Sequence, residues 1–278
     1  MKLKNKIRNG IIFIIMASVS ITMLFPFLWM ISTSFKDKKD AVSIAFSLIP
    51  SPFTAEAYER VWEVIPLLSG FKNTFLIAFP ELLCGTFVSA LAAFAFAKMK
   101  IPHKNVFFMG VLSTMMIPSV VSLIPQYVVW GKLGVTDSLI PLIVPGMLGN
   151  ISMMFFLRQF LSGIPNGYIE AARIDGAGWF KIFRVIFLPL MKPALATQII
   201  FWFMSIWNDF FGPLVYLDSE SNYTVQLALR LLDSMGRQTM EYPLIMAGSV
   251  LSCIPLLVLF VSFQKYFVDS MVISGIKG

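Results

Sequence analysis

Long apolar runs separated by short polar intervals fill the chain from about residue 10 to residue 267. A hydrocarbon core about 30 Å thick takes roughly 20 apolar residues in a helix. On that measure the pattern predicts six membrane-spanning helices, near residues 10–35, 73–97, 105–128, 139–161, 190–217 and 243–267. Lys2, Lys4, Lys6 and Arg8 precede the first run as they would a signal peptide, but the run is about 25 residues long, beyond an ordinary signal core. It reads as a retained first helix behind a short cytoplasmic N-terminus of residues 1–9.

Composition agrees: 57% of the 278 residues are hydrophobic and 13% charged, which is a polytopic membrane protein in contact with lipid. The net charge of +7 does not point to nucleic acid, because the basic residues are spread among short loops instead of forming a patch interleaved with aromatics. Cys84 and Cys253 both fall in apolar segments and build no disulfide framework. With His103 as the single histidine, a His-based metal site or a Ser-His-Asp triad is not expected.

Short cytoplasmic loops hold the excess of Lys and Arg. An internal N-terminus places 14 cations inside: Lys2, Lys4, Lys6, Arg8, Lys98, Lys100, Lys104, Arg158, Arg173, Lys181, Arg184, Lys192, Lys265 and Lys277. The 8 left outside occupy longer loops that also carry most of the acids. Both termini are therefore expected in the cytoplasm. Lys36, Lys38 and Lys39 run against this count, offset by Asp37 and Asp40.

Prolines 26, 80, 118, 125, 141, 145, 193, 213 and 255 lie within the spans. Each removes a backbone donor and bends its helix, either as a gating hinge or as an ordinary packing kink. Gly85, Ser89, Ala93 and Ala97 recur every four residues on the second span, a ridge of small residues that predicts a close helix contact. The partner helix is either in this chain or in another. Polar groups inside spans are costly and mark functional positions; here they are Glu81, Asn150, Gln198, Asn208 and Asp209. Asn208 and Asp209, close to Gly212 and Pro213, would line a pathway or satisfy a broken helix. Glu81, next to Pro80, is expected to reach the outer interface.

The segment 162–189 is the longest cytoplasmic interval and the most informative. Pro165, Asn166 and Gly167 are turn residues. Tyr168 to Asp175 has good helix formers with Glu170 in the first turn, and Gly176 and Gly178 end it. Such a two-turn helix is too short to hold in water alone. Small Ala171 and Ala172 at its middle, with Glu170 and Asp175 beside them, suit it to a groove on another protein. Trp179, Phe180, Phe183, Ile186 and Phe187 then fall on one helical face opposite Lys181 and Arg184, which predicts an amphipathic helix at the inner membrane surface. Outside, Tyr58, Val61, Trp62 and Ile65 form an amphipathic segment, and residues 218–242 make an exposed loop with a short helix.

Glu170, Ala171, Ala172, Gly176, Ile186, Leu188 and Pro189 match the EAA pattern of ABC importer permeases. Further matches run along the chain: Asn73 and Thr74; Ile124, Pro125 and Gln126; Arg158, Gln159, Phe160, Ile164 and Pro165; Trp207, Asn208 and Asp209; Ala247, Gly248 and Ser249; and Gly275 to Gly278. The sequence resembles the smaller, six-span permease of the maltose-type carbohydrate importers over nearly its whole length. The resemblance implies an all-α type I importer permease domain over residues 10–278, with core spans near 73–267 and a coupling loop at 162–189, in a bacterial cell membrane. It implies a homologous second permease, two ATP-binding cassette subunits, an extracytoplasmic sugar-binding protein and a carbohydrate substrate, with Glu170, Ala171, Ala172, Asp175 and Gly176 receiving the ATPase. Asn208, Asp209, Asn150 and Gln198 are its candidate pathway residues.

No G-x-x-x-x-G-K-[ST] phosphate loop occurs. The chain is thus expected to be no enzyme and to hold no cofactor, with ATP and Mg bound by the partner ATPase. The alternatives are the same machine carrying a polyol, sugar phosphate or modified sugar, and an ion-coupled secondary transporter. The latter would usually place ionisable groups mid-membrane on several helices.

Overall fold

The structure, a computed structural model, describes residues 2–43 and 47–275, with side chains for residues 6, 8–43 and 47–265. Ile276, Lys277 and Gly278, and the side chains of Lys2 and Lys4, lie outside the described residues. Regular structure among the described residues is helical throughout.

Among the described residues, four helices are long and apolar enough to cross a membrane unbroken: Arg8–Ser34, Leu67–Lys98, Ile140–Ser162 and Tyr242–Lys265. The other two predicted spans are broken. The third divides into Lys104–Met116 and Ser119–Lys132, bent by 94°, and the fifth into Trp179–Leu190 and Lys192–Trp207, bent by 76°. Pro118 precedes the second half of one, and Pro193 opens the second half of the other. Both are sites where proline removes the donor a continuous helix needs. The helix Lys192–Trp207 opens where the fifth run was expected to start, and Phe211–Tyr216 is a separate short helix.

The chain divides into two compact units, Met1–Leu67 with Leu229–Ile254, and Leu68–Ala228 with Pro255–Gly278. In the first, the span Arg8–Ser34 is apolar on all sides and its most apolar 18 residues are unburied, as in a lipid-facing helix, while Thr33 and Ser34 at its end are buried. The helix Glu56–Val64 buries Ala57 and Val61, with Trp62 turned outward at 44% exposure. Gly248 is needed here, because a β-carbon on it would press on Leu232 and Leu229. Lys36 is buried, pairs with Asp40 at 3.6 Å and donates to the Ser47 carbonyl. One of the three cations that ran against the inside count is therefore neutralised locally.

The second unit carries the main core. Phe94 packs on Phe183 and Phe187, with centroids 5.5 and 5.1 Å apart, and Met153, Leu157, Leu161, Met191 and Ala194 complete the layer. The small-residue ridge meets a helix of its own chain. Gly85 lies against the Gly146 carbonyl and the Trp202 ring, Ser89 Oγ exchanges hydrogen bonds with the Asn150 backbone, and Ala93 is fully buried. Two π-helical turns interrupt the spans, Glu81–Gly85 and Phe183–Phe187. Such turns cluster at functional positions.

Candidate functional site: a projecting helix and a polar cavity

The short helix in the 162–189 segment runs Gly167–Ile174. Its end is a Schellman motif: the Gly176 N–H donates to the Arg173 carbonyl at 3.1 Å and the Ala177 N–H to the Ala172 carbonyl at 2.9 Å. Gly176 has φ +72° with open space around it, so its backbone angle, not crowding, demands glycine. At the other end, Lys98 Nζ donates to the Ile164 carbonyl and to Asn166 Oδ1, tying the entry turn to the end of the second span.

The helix has two faces. Ile169 and Ala172 are buried in the main core, while Glu170, Ala171, Ile174, Asp175 and Gly176 are exposed. Of the five residues expected to receive a partner, Ala172 instead roots the helix in its own chain. Ile174 is 86% exposed. It completes a bare stripe with Gly167, Glu170 and Ala171 at helical spacing, and it drew no notice in the sequence because it reads as an ordinary apolar residue.

The amphipathic stretch that follows turns its apolar face into the protein. Ile182, Phe183 and Phe187 are wholly buried in protein, whereas Phe180, expected on the same face, is 57% exposed. The π-helical turn shifts the register by one residue and replaces Phe180 with Ile182. Arg173 stands over the Trp179 ring at 5.2 Å, a contact worth about 0.5–1 kcal/mol where exposed. The projecting helix is thus braced at both ends.

The pathway candidates part company. Asn208 is exposed, and its amide donates to the Met204 carbonyl, closing its own helix. Asn150 caps Ile151–Ser162 by accepting from the Met153 N–H at 2.9 Å. Gln198 is half-buried on Lys192–Trp207. Asp209 accepts from the Gly212 N–H at 3.2 Å and lines a cavity of about 240 Å³ with Glu81, Trp202, Ser205 and Thr224. Glu81 does not reach an outer interface. It is 7% exposed in the middle of its span, with its carboxyl against the α-carbon of Gly146 and the Trp202 indole beside it. The sequence signal was its charge inside an apolar run; the missing information was the glycine opposite.

Beyond the other end of Ile140–Ser162 lies a clamp. Asp137 accepts from the backbone N–H groups of Asp218 and Ser219, each at 2.9 Å, and from the Ser219 hydroxyl. The Ser219 hydroxyl and these amides hold its carboxyl well below the usual carboxylate range. Asn73 Nδ2 donates to the Ser221 and Tyr223 carbonyls, and Thr74 Oγ1 accepts from the Val225 N–H at 3.0 Å. The segment 218–242 is more than a loop, since Val225–Thr239 is a 15-residue helix with Val225, Leu227, Ala228 and Leu232 buried.

Comparison with known proteins agrees with this architecture. The arabinooligosaccharides transport system permease protein AraQ of Halalkalibacterium halodurans is 32% identical over 266 residues, covering 94% of each chain. The sn-glycerol-3-phosphate transport system permease protein UgpE of Escherichia coli O1:K1 is 30% identical over 256 residues, covering 90% of this chain and 91% of that one. These relatives are permease components, not enzymes. A solved bacterial ABC transporter involved in the import of the acidic polysaccharide alginate contains a chain that superposes with a TM-score of 0.82. It covers 95% of this chain and 98% of its own at 24% identity, and shows a shared type I importer permease fold. The family model for the binding-protein-dependent transport system inner membrane component matches residues 85–273. The chain belongs to that family and is a multi-pass inner-membrane component of such a transport system.

Proposed function

We propose that this chain is one permease of an ATP-driven sugar importer, taking a di- or oligosaccharide, with Gly167–Gly176 as the part that an ATPase grips. The observation that carries the reading is the two-faced helix: one side is rooted in the core through Ile169 and Ala172, and the other presents Glu170, Ala171 and Ile174 bare. A helix of 8 residues is unstable alone and gains nothing by exposing an isoleucine to water. Seated in a groove of a partner, both facts have a use.

In this reading the N-terminus and the coupling loop are cytoplasmic, a homologous permease supplies the other half of the pathway, and two ATPase subunits act from below. A sugar-binding protein docks on the far side, where Asp137 shapes residues 218–223. The same core contains Ile169, Phe183, Phe187, Met191, Ala194 and Trp202, so a push on the coupling helix meets close-packed side chains all the way to the cavity wall. The sugar assignment is supported by the similarity to AraQ and by the residue matches to the carbohydrate-importer permeases.

The test uses the assembled complex in proteoliposomes. Gly176→Val forces a β-branched residue to φ +72° at a cost of roughly 1–3 kcal/mol, and Glu170→Lys reverses the charge on the bare face. Both are expected to abolish sugar uptake while the complex still reaches the membrane and the ATPase still turns over. Wild-type uptake in both variants would remove the coupling assignment.

A further inference from the structure

The segment that follows the first span turns back along it and leaves its apolar side chains bare. Ser32 Oγ donates to the Leu48 carbonyl, Lys36 Nζ to the Ser47 carbonyl at 2.6 Å, and the Thr54 N–H to the Phe35 carbonyl at 2.9 Å. Phe53 stacks on Phe35 with ring centroids 4.8 Å apart. These ties lay residues 47–54 alongside residues 32–36, which are the last turn of the span Arg8–Ser34 and the two residues after it. Ile49 is nevertheless 79% exposed and Phe53 68%, and Leu48 is exposed as well. Apolar side chains scattered singly over a surface are ordinary, but three within six residues, held in place by hydrogen bonds, mark a contact.

Depth identifies what covers them. A span of 27 residues at about 1.5 Å per residue is about 40 Å long, enough to cross a hydrocarbon core of about 30 Å and enter the headgroup layer on each side. Ser32 therefore lies where acyl chains give way to headgroups, and the loop bonded to it lies at the same level. The backbone of that loop is suited to a place poor in water. The Ser47, Leu48 and Ile49 carbonyls each accept from a side chain, the last from Ser47 Oγ at 2.6 Å. Pro50 and Pro52 have no N–H, and the N–H of Ser51 between them donates to Asp40 Oδ2 at 3.2 Å. The same end of the span exposes Phe27, Leu28 and Ile31. We infer that residues 47–53 form an interfacial anchor, with Leu48, Ile49 and Phe53 inserted among phospholipids at the boundary of tails and headgroups. The partner is the bilayer itself and not a protein. Such an anchor fixes the depth of a span whose most apolar 18 residues are unburied.

The anchor is independent of the importer reading, which rests on a different surface, Gly167–Gly176. Photocrosslinking in intact cell membranes tests it. A photoreactive benzoylphenylalanine takes the place of Ile49, Phe53, Leu28 or Glu59 in turn, in the full chain with the subunits it retains, and mass spectrometry of the illuminated protein measures phospholipid adducts. Leu28, exposed within the span, sets the level for lipid contact, and Glu59, exposed on the helix Glu56–Val64, sets the level for a position in water. All four side chains are exposed or nearly so, so the replacements leave the fold and the recovery in the membrane unchanged. Adducts at positions 49 and 53 are expected to approach the Leu28 level and to exceed the Glu59 level severalfold. Protein crosslinks in place of lipid adducts at 49 and 53 would give the surface to another subunit and overturn the anchor. Adduct yields at 49 and 53 no higher than at 59, the result for a loop in water, would overturn it equally. An absence of lipid adducts at position 28 would remove the lipid-facing span from which the depth is reckoned, and the anchor with it.

Discussion

The two-faced helix Gly167–Ile174 and the polar cavity belong to the same compact unit but are built in opposite ways. The helix is a continuous stretch, Gly167–Ile174, with one face bare, whose shape comes from neighbours in sequence: an entry turn, a left-handed glycine, two backbone hydrogen bonds. The cavity gathers Glu81, Trp202, Asp209 and Thr224 from distant parts of the chain, and Glu81, Trp202 and Thr224 are at least nine-tenths buried. A site of the first kind can change its surface without disturbing the fold. In a site of the second kind every polar group is also a packing problem, because an unpaired or displaced one costs as much as the function it supports.

The sharpest way to break this contrast is a pair of glycines. A β-carbon on Gly146 would collide with the Glu81 carboxyl, whereas one on Gly167 meets nothing within 4 Å. Gly146→Leu is therefore expected to lower the thermal midpoint of the detergent-solubilised complex by the equivalent of about 3 kcal/mol, the upper range for overpacking, and to remove uptake with it. Gly167→Leu should leave the midpoint within the scatter of surface substitutions, about 0.5 kcal/mol, while weakening coupling. Equal midpoints would mean that the cavity wall is soft and the contrast false.

A smaller effect separates the two alanines. Ala172 is 8% exposed and Ala171 lies on the bare face. Ala172→Leu should cost roughly 1–3 kcal/mol of stability, whereas Ala171→Leu should leave stability alone and uncouple ATP hydrolysis from uptake. If Ala171→Leu proves the less stable of the two, the helix is rotated from the face assigned to it.

The same contrast explains what the sequence disclosed. The short helix and its end, residues 167–177, were legible because their geometry is local: turn residues open it, and Gly176 announces a left-handed turn that closes it. The six apolar runs were legible because hydropathy needs no tertiary knowledge. The break at Ile117–Pro118 carried a proline signal, but whether proline bends a helix slightly or by 94° depends on what packs in the gap. The π-helical turn at Phe183–Phe187 left no sequence signal and exchanged Phe180 for Ile182 on the buried face. Glu81 was visible as a charge within a span, yet its burial depends on Gly146, more than 60 residues away. Thr224 carried no signal at all, since its burial, at 4% exposure, is a property of its surroundings.

The clamp at Asp137 sharpens the comparison from a third position, because it is nonlocal like the cavity yet exposed like the two-faced helix. Its carboxylate is held below the ordinary range by the Ser219 hydroxyl and by the Ser219 and Asp218 amides. A carboxyl whose folded value is depressed contributes stability above its unfolded value, about 3.9, and loses it as pH falls through the folded one. The contribution should thus be constant from pH 8 to pH 5 and decline only below about pH 4. Asp137→Asn removes the charge that these donors hold, so the gap in thermal midpoint between wild type and variant should be flat over the upper range and close in acid. A gap that already narrows between pH 7 and pH 5 would show that another titrating group, not this carboxylate, holds residues 218–223 in place.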